Sequence, residues 1–224
     1  MYRPFDTFHP DGKFISVIGS GGKTSFLRCM ALRLSGTVLL TTSTHILPFP
    51  EFPLVDAALS GREQVTDRIR SAFVGSRIVT LGKSEPSGKL ADPSAVIPFE
   101  ALLSLADHIL VEADGAAGRP LKAHRPWEPV IPACSDFTVC LVGASGLGKP
   151  VSEVCHCPEL FASLAGISAD APASPEAVAH VLNREALADC YLINQIDLLS
   201  DPDPVLRLCG LISRDASPCR LKQP

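Results

Sequence analysis

The chain has 224 residues, 46% of them hydrophobic and only 20% charged, with a formal net charge of -4. That composition supplies a full core and sets disorder aside, and basic runs too short to track a nucleic-acid backbone exclude a nucleic-acid partner. The opening Met1-Tyr2-Arg3-Pro4-Phe5-Asp6 lacks the apolar core of a signal peptide and no apolar run reaches spanning length, so a cytoplasmic protein without a membrane partner is expected.

In chain order, Phe14 to Ile18 is an apolar run that ends in glycines and predicts a buried strand. Thr24 to Leu34 follows as a helix whose inner side carries Phe26, Leu27, Met30, Ala31 and Leu34, and Gly36 closes it. Thr37 to Thr41 suits a second strand, after which Pro48, Pro50 and Pro53 mark a loop. Ala57 to Phe73 is compatible with a helix, Arg77 to Leu81 with a strand, and Gly82 to Pro93 with an exposed, turn-rich excursion. Phe99 to Leu105 reads as a short helix leading into a strand at His108 to Val111. Phe137 to Val142 and Cys190 to Ile193 are further strands, with helices predicted at Pro158 to Leu164 and Pro175 to Ala188. Continuous apolar runs, rather than alternating ones, are what a parallel sheet covered on both faces requires. The expectation is one α/β domain over residues 1–224, with an irregular C-terminal tail from about 214. The eight cysteines fall largely in these apolar segments and are read as reduced core thiols.

Gly19-Ser20-Gly21-Gly22-Lys23-Thr24 lies between a predicted strand and a predicted helix. Glycines there let successive N–H groups turn inward around phosphate oxygens at the positive helix end. Lys23 would reach the terminal phosphates and the Thr24 hydroxyl would complete a Mg2+ shell. Val17 stands where the full Walker pattern has its first glycine, so the loop is a compact variant. Glu112 and Asp114 follow a strand end; Asp114 is the preferred metal ligand, and either residue is a candidate for organising Mg2+ or an attacking water. Thr41-Thr42-Ser43-Thr44-His45 should reach the same edge, with Thr44 a further metal ligand and Thr44 and His45 candidate switch residues.

Arg119, Lys122, His124 and Arg125 form the densest basic segment, of which Arg119 and Lys122 are the candidates to meet a transferred phosphoryl group or an acidic partner. Trp127, among prolines, is expected to anchor its loop. Asn194-Gln195-Ile196-Asp197 partly matches the N-K-x-D element that reads guanine, with Gln195 in place of Lys, which leaves ATP and GTP both open. Cys155-His156-Cys157 gathers soft ligands, but adjacent side chains diverge and no second Cys-x-x-Cys or His-x-x-Cys completes a set, so no metal centre is expected there.

Taken together, G-S-G-G-K-T, T-T-S-T-H, V-E-A-D-G-A-A-G-R-P-L-K-A, E-P-V-I-P, G-A-S-G-L-G-K-P and N-Q-I-D closely resemble the selenium-dependent hydroxylase accessory protein family, often called the YqeC family, from about Gly12 to Asp197. The resemblance implies an α/β fold like the P-loop nucleoside triphosphate hydrolases, a mostly parallel sheet with helices on both faces. It also implies a nucleoside triphosphate-binding protein in the maturation of selenium-dependent molybdenum hydroxylases, with the immature hydroxylase or a cofactor-maturation protein as partner. Hydrolysis is the expected use of the nucleotide; a small-molecule kinase and a non-hydrolytic scaffold are the alternatives. The family motif singles out Gly19, Gly21 to Thr24, Thr41, Thr42, Thr44, His45, Glu112, Asp114, Gly115, Gly118 to Lys122 and Gly148 to Pro150. The chain departs from it at Cys155-His156-Cys157, near which the family carries Val-His-Arg.

Overall fold

The computed structural model describes residues 10, 12–59 and 61–221, so the reading of Met1 to Asp6, and of the tail beyond 221, lies outside the described residues. The strands are β1 (Phe14–Gly19), β2 (Val38–Thr42), β3 (His45–Ile46), β4 (Leu54–Asp56), β5 (Ile78–Ser84), β6 (Leu90–Ala91), β7 (His108–Glu112), β8 (Leu121–Lys122), β9 (Phe137–Gly143), β10 (Cys155–His156), β11 (Cys190–Asn194) and β12 (Asp215–Pro218). The helices are α1 (Lys23–Arg33), α2 (Arg62–Gly75), α3 (Phe99–Leu102), α4 (Val151–Val154), α5 (Pro158–Ala165), α6 (Pro175–Glu185) and α7 (Asp203–Leu211).

Ten strands form one mixed, mostly parallel sheet in the order β12-β11-β9-β1-β7-β2-β5-β6-β3, with β4 on the side of β5. Among the described strands of this sheet, β6 pairs antiparallel with β5 and with β3, and the other pairings are parallel. Every residue of β1, β2 and β11 is buried, as expected of strands covered on both sides. Ile15 and Val17 pack with Phe26, Leu27 and Met30 of α1, whereas Phe14 packs with Val65 and Ile69 of α2. Ile18 meets Phe161 of α5 and Val178 of α6. Since successive strand residues point to opposite sides, helices cover both faces.

Parallel pairing brings the carboxyl ends of β1, β7, β9 and β11 to one edge, and there Gly19, Glu112, Gly143 and Asn194 meet solvent-facing loops. Long-range pairing altered several expected elements. The tail expected to be irregular from about 214 forms β12, which pairs parallel with β11 from Cys190↔Asp215 to Ile193↔Pro218. The excursion expected over Gly82 to Pro93 is partly a hairpin, in which Lys83 and Ser84 pair with Ala91 and Leu90. The helix read over Ala57 to Phe73 begins only at Arg62, because β4 and a short turn of 3-10 helix occupy the preceding residues. Helix α6 starts where Ser174 accepts a hydrogen bond from the Ala177 N–H and ends at Ala186, whose φ of 48° leaves the helical region.

Candidate functional site

The segment from β1 to α1 turns through three glycines with positive φ, Gly19 at 84°, Gly21 at 82° and Gly22 at 124°. A Cβ on Gly21 would lie 2.4 Å from the backbone N and Cα of Gly143, so glycine is needed there both for conformation and for close approach. The Ser20 N–H donates to Leu141 O at 2.8 Å and its hydroxyl to Pro120 O at 2.7 Å, which tie the loop to β9 and to the strap before β8. No side chain caps the start of α1, so its first turn presents backbone N–H groups toward the loop.

Lys23, the first residue of α1, is buried and folds back so that its ammonium donates to Gly19 O at 2.7 Å. The same ammonium lies 3.0 Å from Asp114 Oδ1 and 3.9 Å from Glu112 Oε1. Asp114 is a hub: its Oδ2 accepts from the Gly19 N–H at 2.8 Å and hydrogen-bonds His124 Nε2 at 2.9 Å, with Lys122 Nζ 3.4 Å away. Burial alone would raise its carboxyl, but the His124 hydrogen bond, Lys23 and Lys122 outweigh it and hold Asp114 below the usual carboxylate value. His124 is clamped on its other side by Glu185 of α6, which takes Nδ1 at 2.8 Å and the His124 N–H at 2.7 Å. Burial would lower that imidazole; the two carboxylates prevail and raise it. Glu185 stands 61 residues from His124, and nothing local in the sequence marks the pairing.

Glu112 has a different environment. Its Oε2 faces the Thr24 hydroxyl at 3.5 Å, and among the described residues no cation approaches it as closely as Lys23 approaches Asp114. Burial pushes its carboxyl up to about 7, against the pull of Lys23 and with help from Asp114. Thr24 and Glu112 thus offer oxygen donors of the kind a hard divalent cation takes, whereas Asp114 Oδ2 is hydrogen-bonded to Gly19 and His124 and its Oδ1, without an aligned hydrogen bond, is ion-paired with Lys23. Because the unfolded chain releases the Glu112 proton near the ordinary 4.5 and the folded chain near 7, stability falls as pH rises between them. Glu112→Gln is therefore expected to be more stable than the native chain by about 1–3 kcal/mol above neutral pH. Urea unfolding at pH 5 and pH 8 checks this; a difference that fails to widen at pH 8 contradicts it.

The other sequence candidates are spread around this centre. Thr42 Oγ1 donates to Glu112 O at 2.9 Å and so fixes the end of β7, while the buried hydroxyls of Thr41 and Thr44 have no hydrogen-bond partner among the described residues. Thr44 and His45 line an open groove of about 830 Å3 with Lys83, Trp127 and Glu128. His45 Nε2 lies 3.3 Å from Glu85 there. Lys122 is buried and lies 3.3 Å from Glu128 Oε2 as well as near Asp114, so its charge is used inside the protein. Arg119 is exposed, and Arg125 stacks 5.8 Å from the Trp127 ring. Trp127 is 70% exposed, so the loop anchor expected of it is not what it provides.

Asn194 braces the loop from the far side: its Nδ2 donates to Gly21 O at 2.8 Å and its Oδ1 accepts from the Leu221 N–H at 3.2 Å. Asp197 lines a cavity of about 500 Å3 with Gly22, Ser25, Gln195, Arg220 and Leu221. The strand β12 delivers Arg220 and Leu221 to that cavity, a wall that no local pattern in the sequence announces, since residues from about 214 carry no regular periodicity. Cys155 is buried and its thiol donates to His156 O at 3.3 Å. A third donor nonetheless stands beside His156 and Cys157, since Glu128 reaches them from a distant loop.

A family model described as YqeC protein matches residues 15–159. A relative from Escherichia coli (strain K12), named Uncharacterized protein YqeC, is 38% identical over 165 residues, which cover 70% of this chain and 62% of the relative. The chain thus spans less than two thirds of that relative's length. Two crystal structures of FtsY from Mycoplasma mycoides align with TM-scores of 0.42 and 0.43 at 15% and 14% identity. They cover 94% and 96% of this chain and 60% and 62% of the FtsY chains.

Proposed function

The chain belongs to the YqeC family, and from that premise we propose that it binds a nucleoside triphosphate, ATP or GTP, with Mg2+. One observation carries the reading: a strand, a three-glycine loop and an uncapped helix place the Lys23 ammonium over the loop, tethered to Gly19 O and Asp114. Phosphate oxygens would replace these tethers. In this P-loop reading the N–H groups at the start of α1 hold the phosphates, and Lys23 neutralises the terminal ones.

The oxygen chemistry of Thr24 and Glu112 fits Mg2+, so Glu112, rather than Asp114, is the proposed metal-side carboxylate, and Thr44 is left to the neighbouring groove. Thr24 and Glu112 would hold Mg2+, which would supply charge neutralisation at the phosphates. Asp114 is a positioning residue in this scheme, holding Lys23 and the Gly19 N–H in place. Asp197 lines the adjacent cavity and is the proposed reader of the base, with Arg220 and Leu221 lining the same cavity. Guanine is favoured over adenine, because an aspartate carboxylate can accept from both the N1 hydrogen and the exocyclic amine.

Hydrolysis or transfer of the terminal phosphoryl group is the proposed use of the site, in one domain spanning 1–224 of a cytoplasmic protein. Maturation of a selenium-dependent molybdenum hydroxylase is the proposed pathway, supported by the E-A-D-G-A-A-G-R-P-L-K block running from Glu112 to Lys122. A small-molecule kinase is the second reading, favoured by the open groove of about 830 Å3 beside Asp114's loop, where an acceptor other than water has room.

Calorimetric titration with non-hydrolysable ATP and GTP analogues, with and without Mg2+, tests the reading. Tighter, Mg2+-dependent binding of the GTP analogue is expected, weakened at least about tenfold by Lys23→Ala, the scale of one lost charge-assisted contact. Binding indifferent to both Lys23 and Mg2+ would remove the phosphate site, and equal binding of the two analogues would remove the role of Asp197.

A further inference from the structure

The strands β8 and β10 form a two-stranded parallel ribbon apart from the main sheet, with His156 in register with Lys122. Glu128, on the strap that follows β8, reaches the same place. One donor atom from each of Glu128, His156 and Cys157 lies within 4.8 Å of the other two. Cys157 has φ 66°, in the left-handed region that a non-glycine residue seldom occupies. Cys155 is buried and bonded to a backbone carbonyl, so it takes no part.

We propose that Glu128, His156 and Cys157 bind one zinc-class divalent cation, distinct from any cation at the phosphate loop. The donors decide the class. A thiolate, an imidazole and a carboxylate form the mixed set that Zn2+ accepts, whereas Mg2+ and Ca2+ avoid thiolate. Metal-to-donor lengths of about 2.0–2.3 Å give tetrahedral edges of about 3.3–3.8 Å, so side-chain rotation closing the cluster by roughly 1 Å completes it.

The surroundings permit that closure. Glu128 Oε2 is buried and accepts no aligned hydrogen bond, with the Lys122 ammonium 3.3 Å away. Lys122 also donates to Gly115 O at 2.5 Å and lies 3.4 Å from Asp114, so it keeps partners when Glu128 turns to a cation. No hydrogen bond engages the His156 ring or the Cys157 sulfur among the described residues. All three ligands are partly exposed, which leaves a fourth position for water or an incoming donor.

Titration of the full chain with Co2+, without nucleotide, tests the site. One equivalent should produce thiolate-to-cobalt charge-transfer absorption that Zn2+ then abolishes. Cys157→Ser should remove the absorption and weaken Zn2+ binding at least tenfold, Glu128→Gln should weaken binding at least tenfold while keeping the absorption, and Cys209→Ser should change neither. A native chain that gives no thiolate absorption overturns the proposal whatever the variants do, and so does an absorption that survives in Cys157→Ser.

Discussion

Gly21→Ala is expected to destabilise the protein by about 2–5 kcal/mol, the sum of a left-handed backbone cost and local overpacking, and to abolish the proposed nucleotide binding. The position has φ 82°, and the added carbon would stand 2.4 Å from the backbone of Gly143, which belongs to a central strand and cannot retreat as a flexible side chain would. Relief therefore requires the loop to lift away from β9, and that motion carries the N–H groups of the proposed phosphate site with it. Gly88→Ala supplies the control, because Gly88 has φ 79° with no atom within 4 Å of an added Cβ. It should lose only the backbone component, about 1–2 kcal/mol. Chemical denaturation of both variants separates the terms. If Gly21→Ala proved no less stable than Gly88→Ala, close packing of the loop on β9 would not be what fixes its shape.

Asp114→Ala is expected to cost about 3–5 kcal/mol, the range for removing one partner of a buried charge cluster. The reason is the company the carboxylate keeps: Lys23, Lys122 and His124 all point at it from buried positions, and the Gly19 N–H loses its acceptor as well. The pH dependence is specific. Asp114 is held below its ordinary 3.8, so its contribution is fully present above that value and is lost as pH falls through its lower folded value. His124 is raised above its ordinary 6.5, so its contribution is fully present below 6.5 and is lost as pH rises through its higher folded value. The gap between native and variant should accordingly be widest between about pH 4 and 6.5 and narrow on either side. A gap that stays constant from acid to alkaline pH would mean that packing, rather than charge, accounts for the loss.

Asp114→Ala and Glu112→Gln also separate the neighbouring acids. Glu112 and Asp114 are two residues apart, yet removing the charge of one is expected to stabilise the empty protein and of the other to destabilise it. Asp114 is surrounded by donors, while Glu112 is buried with one distant cation and a hydroxyl. That opposition is what a site waiting for a cation would show: the group kept without a full set of partners is the one that gains most when a positive charge arrives.

The sequence by itself determined the elements whose causes are local. The apolar run of β1, the glycines after it and the amphipathic start of α1 are legible because backbone conformation and side-chain period are settled within a few residues. The same holds for the centres of β7, β9 and β11 and for the Asn194 to Asp197 segment, whose residue types announce buried strands followed by a polar turn. Tertiary structure alone decided everything that depends on which distant segments meet. Asp215-Ala-Ser-Pro has no strand propensity worth the name and becomes β12 only because β11 offers an open edge. The division of labour between Glu112 and Asp114 depends on His124, and His124 on Glu185 of α6, a chain of contacts spanning the molecule. Glu128 joins His156 and Cys157 in the same way, across 28 residues that carry no spacing signal. Local free energies of turning and periodicity are written in neighbouring residues, whereas the field at a buried carboxylate is a sum over groups that only folding brings together.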